Sequence, residues 1–521
     1  MKRRTHIETL FLFLFAVLLI SLFSTCSFIY PLNPWDDANV YMTIGNAMLS
    51  GRELYVDIFD HKGPILFFMH EAAAVLSRSN FVGIYLMEVV CCFCFLLYSF
   101  RTMRLLDPLR TSPSKARLSA VLPIEREFVL VCLLGIITYS SDFFSYGDSV
   151  EEFSLPFLAQ SLYYMLRFVK DRYVPNRWQS FVMGMGLAFI FWMKFNLLFF
   201  YFGAILTLAF IAWRNRQWHD LRRVVRWVIV GVAAVTLPVL GYFAVHGTLD
   251  ALWESYFVVN IFRYHGVGTN GEPDFWWFPL VKLAIWAVLM LPLVFLRVRW
   301  EVRLLLFGTY GVLLLSFATL TVQFYYFLTI YTFFPLLITL PDSWKKHFCI
   351  PWLGTILALL TISTNWNLVT LLNGTFPTSV LQMAEIINAN ESEDSEVLTF
   401  SSYDTGIYQY TRHLPPNRNY FLSNILDPEI RREQADLVAS GRIKYLVRVI
   451  GSVNTCHDYY DMPVPDNYRC IYDHEELFRY KFIWTPCKFL WNLTWPRVIL
   501  RHFMEPDITN QHMQIYERTS P

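Results

Sequence analysis

The sequence predicts a polytopic α-helical membrane protein, with about eleven transmembrane helices and a small C-terminal α/β domain. Three observations carry that prediction. The 521 residues are 55% hydrophobic and only 16% charged. Apolar runs of about twenty residues, the length that crosses a bilayer, recur as far as about residue 371. From about residue 375 the composition turns acidic and short β-type runs replace the long apolar ones.

The start, Met1-Lys2-Arg3-Arg4, precedes an apolar run from Leu10 to Ile29 that lacks a small-residue cleavage site. It reads as a retained signal anchor with a cytoplasmic N-terminus. Segment 31–80 then stays on the extracytoplasmic face. Its one apolar stretch, Ile65–Leu76, is too short to cross and is expected to be an interfacial helix. Further spans are expected near 81–100, 128–143, 153–170, 178–193, 195–213, 224–246, 276–296, 303–320, 323–340 and 349–371. With that count the basic loops around Arg101–Arg117, Lys170–Arg177, Arg214–Arg223, Arg297–Arg303 and Lys345-Lys346 all fall inside.

The expected division is therefore a transmembrane domain over 1–374 and an extracytoplasmic domain over 375–521. In the second, Val397–Phe400, Tyr445–Ile450 and Met513–Tyr516 have strand composition and Asp427–Ser440 has helix composition, which suits a small mixed sheet. The nine cysteines do not form a disulfide scaffold, because six lie in or beside apolar runs. Cys456, Cys470 and Cys487 allow at most one bridge. A formal net charge of +1 gives no reason to expect a nucleic-acid partner, and no internal repeat or low-complexity tract is visible.

Chemistry concentrates after the first span. Asp36 and Asp37 begin a segment that continues through Tyr41, Gly51, Tyr55 and Asp57 to Asp60-His61-Lys62-Gly63-Pro64. A plain connection has no use for four aspartates, a histidine and a lysine beside glycine and proline. Asp37 and Tyr41 share a helix face, and Gly63-Pro64 fixes Lys62 in a turn. A second acidic group, Asp148 with Glu151 and Glu152, stands at the start of another span, where carboxylates either complement the helix dipole or join the first loop across one cavity. Lys194 and Asn196 interrupt an apolar stretch, so Lys194 either snorkels or serves a phosphate site. Glu88, alone within a span, is expected to pack as a hydrogen-bonded acid. The aromatic stretch Trp253–His265 contains Asn260 and ends in Arg263 and His265, a composition suited to a lipid phosphate at the interface. Gln323, Tyr325 and Tyr326 are belt residues by default.

The first-loop pattern, over a resemblance running from residue 1 to about 340, is similar to the GT-C superfamily of membrane glycosyltransferases. It most resembles the bacterial group of protein mannosyltransferase-like and lipid A aminoarabinose transferase-like enzymes. The resemblance implies that Asp37, or its neighbour Asp36, deprotonates the acceptor and that Lys62 binds the donor phosphate. It also implies a second acid at Glu151 or Glu152, a cavity tyrosine at Tyr326, and a metal-contacting position at His61, where relatives often carry a Glu. Asn260 and Arg263 fall where the aminoarabinose transferases have a His and an Arg, and the asparagine weakens the case for a divalent metal. Tyr41, Tyr55, Asp57, Asp60 and Asn260 complete the set expected to orient substrate or metal.

The expected function is transfer of a sugar from a polyprenyl-phosphate-linked donor to an extracytoplasmic glycan, lipid or protein acceptor, in a bacterial inner membrane and with inversion. Nucleotide sugars are made in the cytosol and no Gly-rich phosphate loop is present, which favours a lipid-linked donor. Membrane lipids are the other partners; the sequence identifies no definite cofactor and leaves a divalent metal open. A transporter or flippase of lipid-linked saccharides is the alternative; it would place charges midway along broken, repeated halves. A scaffold displaying the C-terminal domain would leave the Asp36–Lys62 segment without a purpose.

Overall fold

The computed structural model describes residues 2–107, 126–263, 287–319 apart from 289 and 292, 324–339, 350–390, 396–422, 428–450, 462–480 and 508–519. Among these residues, nine helices build the first part: α1 Lys2–Phe23, α2 Asp36–Leu49, α3 Pro64–Leu76, α4 Val82–Leu106, α5 Arg126–Ser140, α6 Val150–Asp171, α7 Arg177–Met193, α8 Phe199–Arg214 and α9 Trp218–His246. A π-wound segment, Trp253–Arg263, a helix at Trp300–Thr319, a 3-10-wound segment at Phe324–Thr339 and a helix at Ile350–Ser363 follow.

Among the described residues four helical stretches are long and apolar enough to cross a bilayer: His6–Phe23, Val82–Leu106, Phe195–Arg214 and Trp218–His246. A bent pair, Trp352–Ser363 and Trp366–Leu372, forms a fifth candidate with a 55° break. The chain is an integral membrane protein. Of the other expected spans, α5 and α7 have only 15 and 17 residues, and α6 carries acids in its first turn. The expected basic loop at 101–126 and the expected span at 276–296 lie largely outside the described residues.

Helix packing follows the composition of the interfaces. α7 lies along α9, α8 along Trp300–Thr319, α4 along α6, and α2 against α3. Gly184 and Gly231 bring α7 and α9 so close that a Cβ at either would collide with a carbonyl oxygen of the other helix. Without a hydrophobic drive between helices in lipid, such close backbone approach supplies much of the attraction. α3 has 13 residues and begins with proline at its first turn, shorter than a bilayer crossing requires.

The C-terminal domain is a four-stranded sheet in the order β1-β2-β4-β3, with β1 Glu396–Thr399, β2 Ile443–Ile450, β3 Tyr468–Tyr480 and β4 Ile508–Arg518. β1 and β2 are parallel, joined through the helix Pro428–Ala439, and β4 runs antiparallel to both β2 and β3. Leu398 pairs with Leu446 and Val447 with Ile515, and all four are fully buried. β3 lies outside the expected strands. Its sequence, Tyr-Arg-Cys-Ile-Tyr-Asp-His-Glu-Glu, belongs to an edge strand with exposed charges on its surface, so it lacks an alternating apolar face. Cys470 is a free, exposed thiol on that strand, and Cys456 and Cys487 lie outside the described residues. The connection at 400–422 leaves β1 and seats on α2, which is how the sheet domain reaches the first loop.

Candidate active site

α2 begins at Asp36, directly after Trp35, with both acids in its first turn. Negative charge there complements the helix dipole. Tyr41 donates to Asp37 Oδ2 at 3.2 Å, the relation that four-residue spacing on one helix face requires. Asp36 lies beside it, half-buried; burial, then the charges of Asp37 and Asp404, push its carboxyl up to about 8. At neutral pH Asp36 therefore holds its proton while standing next to Asp37.

The Asp60-His61-Lys62 run folds as a relay. His61 Nδ1 lies 2.9 Å from Asp60 Oδ1, and Lys62 Nζ lies 3.4 Å from His61 Nε2. Burial works against the Asp60 carboxylate, but Lys62 and His61 outweigh it and hold the acid well below the usual carboxylate range. Burial and the Lys62 charge lower His61, with Asp60 opposing. His61 thus lies between the two charges, with Nδ1 against the Asp60 carboxylate and Nε2 facing the Lys62 ammonium. Lys62 Nζ also stands 5.8 Å over the Tyr41 ring, beside Asp37's partner.

The turn after Lys62 is fixed by close packing. Gly63 N–H donates to Met193 O at 3.1 Å, at the last residue of α7. A Cβ at Gly63 would collide with the Trp192 carbonyl, so only glycine lets the turn approach this helix end. Tyr55 hydroxyl donates to Lys62 O at 2.6 Å, and Asn260 Nδ2 donates to His61 O at 2.6 Å. The turn is thus gripped from three sides.

Next to it, Lys194 pairs with Glu151 Oε1 at 2.7 Å and lies 3.7 Å over the Tyr326 ring and 5.4 Å over that of Tyr325. Trp35 joins the two halves, its ring 5.5 Å from Tyr325 and 6.2 Å from Tyr41. Tyr326 is within electrostatic reach of Glu151, Lys62 and Asp37 together. The structure therefore gathers Asp36, Asp37, Tyr41, Lys62, Glu151, Lys194 and Tyr326 around one region.

Other candidates lie elsewhere. Glu152 is capped into the first turn of α6, where its N–H donates to Ser149 Oγ, while its carboxylate accepts from the Asp148 N–H at 3.0 Å. Glu88 accepts from the same N–H at 2.8 Å and from Ser24 Oγ at 2.7 Å, so the two acids bind the 141–149 connection rather than the Lys62 region. Asp57 is exposed and accepts from the Glu53 N–H at 2.9 Å, closing a surface turn. Arg263 turns to Glu254 at 2.5 Å with both side chains about half exposed. His265 and Gln323 lie outside the described residues. The residues present do not fit a divalent cation at His61, since both ring nitrogens are engaged and one faces the Lys62 ammonium. Among the described residues no three His, Cys, Asp or Glu side chains converge as a metal group.

Sequence reasoning missed His70. Its Nδ1 faces Leu66 O at 2.8 Å and so carries a proton, and its Nε2 meets Asp148 Oδ2 at 3.0 Å, fully buried. Burial raises the Asp148 carboxyl, partly offset by His70. A lone histidine in the apolar helix Pro64–Leu76 was the available signal. The bonds from Asp404 and Arg418, more than 340 residues beyond Lys62, had none.

Neither a protein-family model nor a curated protein sequence matches the chain significantly. Its structure is similar to that of ArnT from Cupriavidus metallidurans, solved in the apo state and bound to undecaprenyl phosphate. The apo structure aligns with TM-score 0.55 and 11% identity over 86% of this chain and 93% of that one. The lipid-bound structure aligns with TM-score 0.53 and 12% identity over 84% and 92%. Identity at that level speaks to architecture alone: this chain shares the fold of ArnT over most of both chains.

Proposed function

We propose that this chain is a glycosyltransferase that moves a sugar from a polyprenyl-phosphate carrier to an extracytoplasmic hydroxyl acceptor. The observation that carries the proposal is the Asp60–His61–Lys62 relay, which holds an ammonium group over the ring of Tyr41, the partner of Asp37, just before the short helix α3. A similar fold that binds undecaprenyl phosphate supports a polyprenyl phosphate as the donor's carrier.

In this reading the acceptor hydroxyl attacks the anomeric carbon as the bond from that carbon to the phosphate oxygen breaks. The electron pair departs with the phosphate, and the hydroxyl proton passes to Asp37. Lys62 offsets the charge that grows on the leaving phosphate, an interaction stronger in the transition state than before it. Asp36, keeping its proton at neutral pH, adds no second negative charge near that phosphate. Lys194 is the second cation in reach, already balanced by Glu151. One displacement on one face gives inversion. Asp37 serves as general base because it is the acid bonded to Tyr41, whose ring lies under the Lys62 ammonium.

The test is transfer itself: purified protein in lipid, supplied with polyprenyl-phosphate-linked sugars, with products and co-purified lipid identified by mass spectrometry. A co-purified polyprenyl phosphate and a glycosylated acceptor are the expected results. Saccharide crossing the bilayer with its lipid linkage intact, and no transfer, points instead to a flippase.

A further inference from the structure

We infer that Arg418, in the C-terminal sheet domain, is a positioning residue for Lys62 and acts through Tyr55. The inference rests on the reading that Lys62 meets the donor phosphate. It assigns the sheet domain a part in donor binding.

The domain grips the first loop through hydrogen bonds to α2 and to the turn that follows it. Thr43 Oγ1 donates to Asp404 Oδ2 at 2.7 Å, and Gln409 Nε2 donates to Asn39 Oδ1 at 3.1 Å. Both Thr43 and Asn39 belong to α2, the helix that carries Asp36 and Asp37. Arg52 donates to Pro415 O at 2.9 Å, and Arg418 Nε donates to Tyr55 O at 3.1 Å. Thr43, Asn39, Asp404 and Gln409 are all buried, so this is an interior joint.

Tyr55 is the informative partner. Its φ is +69°, a left-handed conformation that a bulky side chain adopts only when its surroundings impose it. Three bonds impose it here. Its N–H donates to Ile58 O at 2.8 Å, its carbonyl accepts from Arg418, and its hydroxyl donates to Lys62 O at 2.6 Å. Arg418 also stacks its guanidinium 4.7 Å over the Phe59 ring, so one side chain spans both ends of the turn that precedes Asp60. Without Arg418 the strained carbonyl has no such donor and the backbone can relax. The hydroxyl then leaves Lys62, and the ammonium is no longer held in place.

A role in domain packing alone would lower stability without touching lipid affinity. Binding of undecaprenyl phosphate to the full-length protein in detergent separates the two. Arg418→Ala and Tyr55→Phe should each weaken binding about tenfold, the scale of misplacing the one charge-assisted bond that Lys62 makes to the phosphate. The double variant should bind no worse than either single one, because both act on one path. Arg418→Lys should recover part of the loss, since it restores a donor without the planar stack. Arg442→Ala, which breaks an exposed pair with Glu396 in the same domain, should bind like the parent. Parent-like binding by Arg418→Ala, or fully additive losses in the double variant, overturns the inference. If Arg418→Ala does not fold, Tyr55→Phe and Arg418→Lys decide, and parent-like affinity in both overturns it. Weak binding by Lys62→Ala alongside parent-like Arg418→Ala removes only this inference. Parent-like binding by Lys62→Ala removes the phosphate reading and this inference with it.

Discussion

Lys194 and Glu151 form an ion pair of 2.7 Å at the end of α7, with the glutamate 1% exposed and the lysine 14%. They are 43 residues apart in sequence. The pair answers the question that a lone lysine in an apolar stretch raises: Lys194 faces a carboxylate and the Tyr326 ring rather than snorkelling to the interface. Desolvation of two charges roughly cancels their attraction, so the pair adds little net stability, but removing one partner strands the other.

Lys194→Ala should therefore destabilise the protein by about 3–5 kcal/mol, the range for an uncompensated buried charge. Lys194→Met combined with Glu151→Gln should regain most of it. Thermal unfolding in detergent is the measurement. A Lys194→Ala variant as stable as the parent would mean that water or lipid reaches Glu151.

Asp37→Asn should lower transfer by about 10²-fold or more, the scale of losing a general base. Asp36→Asn should cost far less, because Asp36 already holds a proton at neutral pH. The sign of the pH effect follows. With its carboxyl raised to about 8, Asp36 is neutral below that pH and ionises above it, placing a second charge beside Asp37 and repelling the phosphate. Parent activity should decline above about pH 8, and Asp36→Asn should remove that decline. A pH–rate profile with an unchanged alkaline limb in Asp36→Asn would assign the limb to another group.

Gly63→Ala should abolish activity even though alanine suits its backbone angles. The added methyl group meets the Trp192 carbonyl, and the Lys62 turn must move away from α7. An active, well-folded Gly63→Ala would show that the turn tolerates displacement, contrary to a fixed ammonium.

Much of this architecture was legible because its chemistry is local. Asp37 and Tyr41 meet through helix spacing, and Lys62 is turned by its own glycine and proline. The strands near residues 397, 445 and 513 carry buried apolar residues and could be read, whereas edge strand Tyr468–Tyr480 could not. Long-range partners left no trace. Thr43 and Asp404 are 361 residues apart, Tyr55 and Arg418 are 363, and an arginine in a soluble-looking loop has no reason in sequence to stand behind a membrane lysine. Glu151 and Glu152 are adjacent and equivalent in sequence. Only the helix turn between them sends one to Lys194 and the other to Asp148.

The central claim is that Lys62 meets the phosphate of a polyprenyl carrier, and the affinity of purified Lys62→Ala for undecaprenyl phosphate tests it most directly. A charge-assisted hydrogen bond in a partly desolvated site is worth about 1.5–3 kcal/mol, so binding should weaken roughly ten- to a hundredfold. Lys62→Arg should restore only part, because a planar guanidinium does not reproduce a compact ammonium in a turn packed against α7. Lys62→Ala that binds the lipid as tightly as the parent would contradict the account, leaving the Asp60–His61–Lys62 relay a structural clasp.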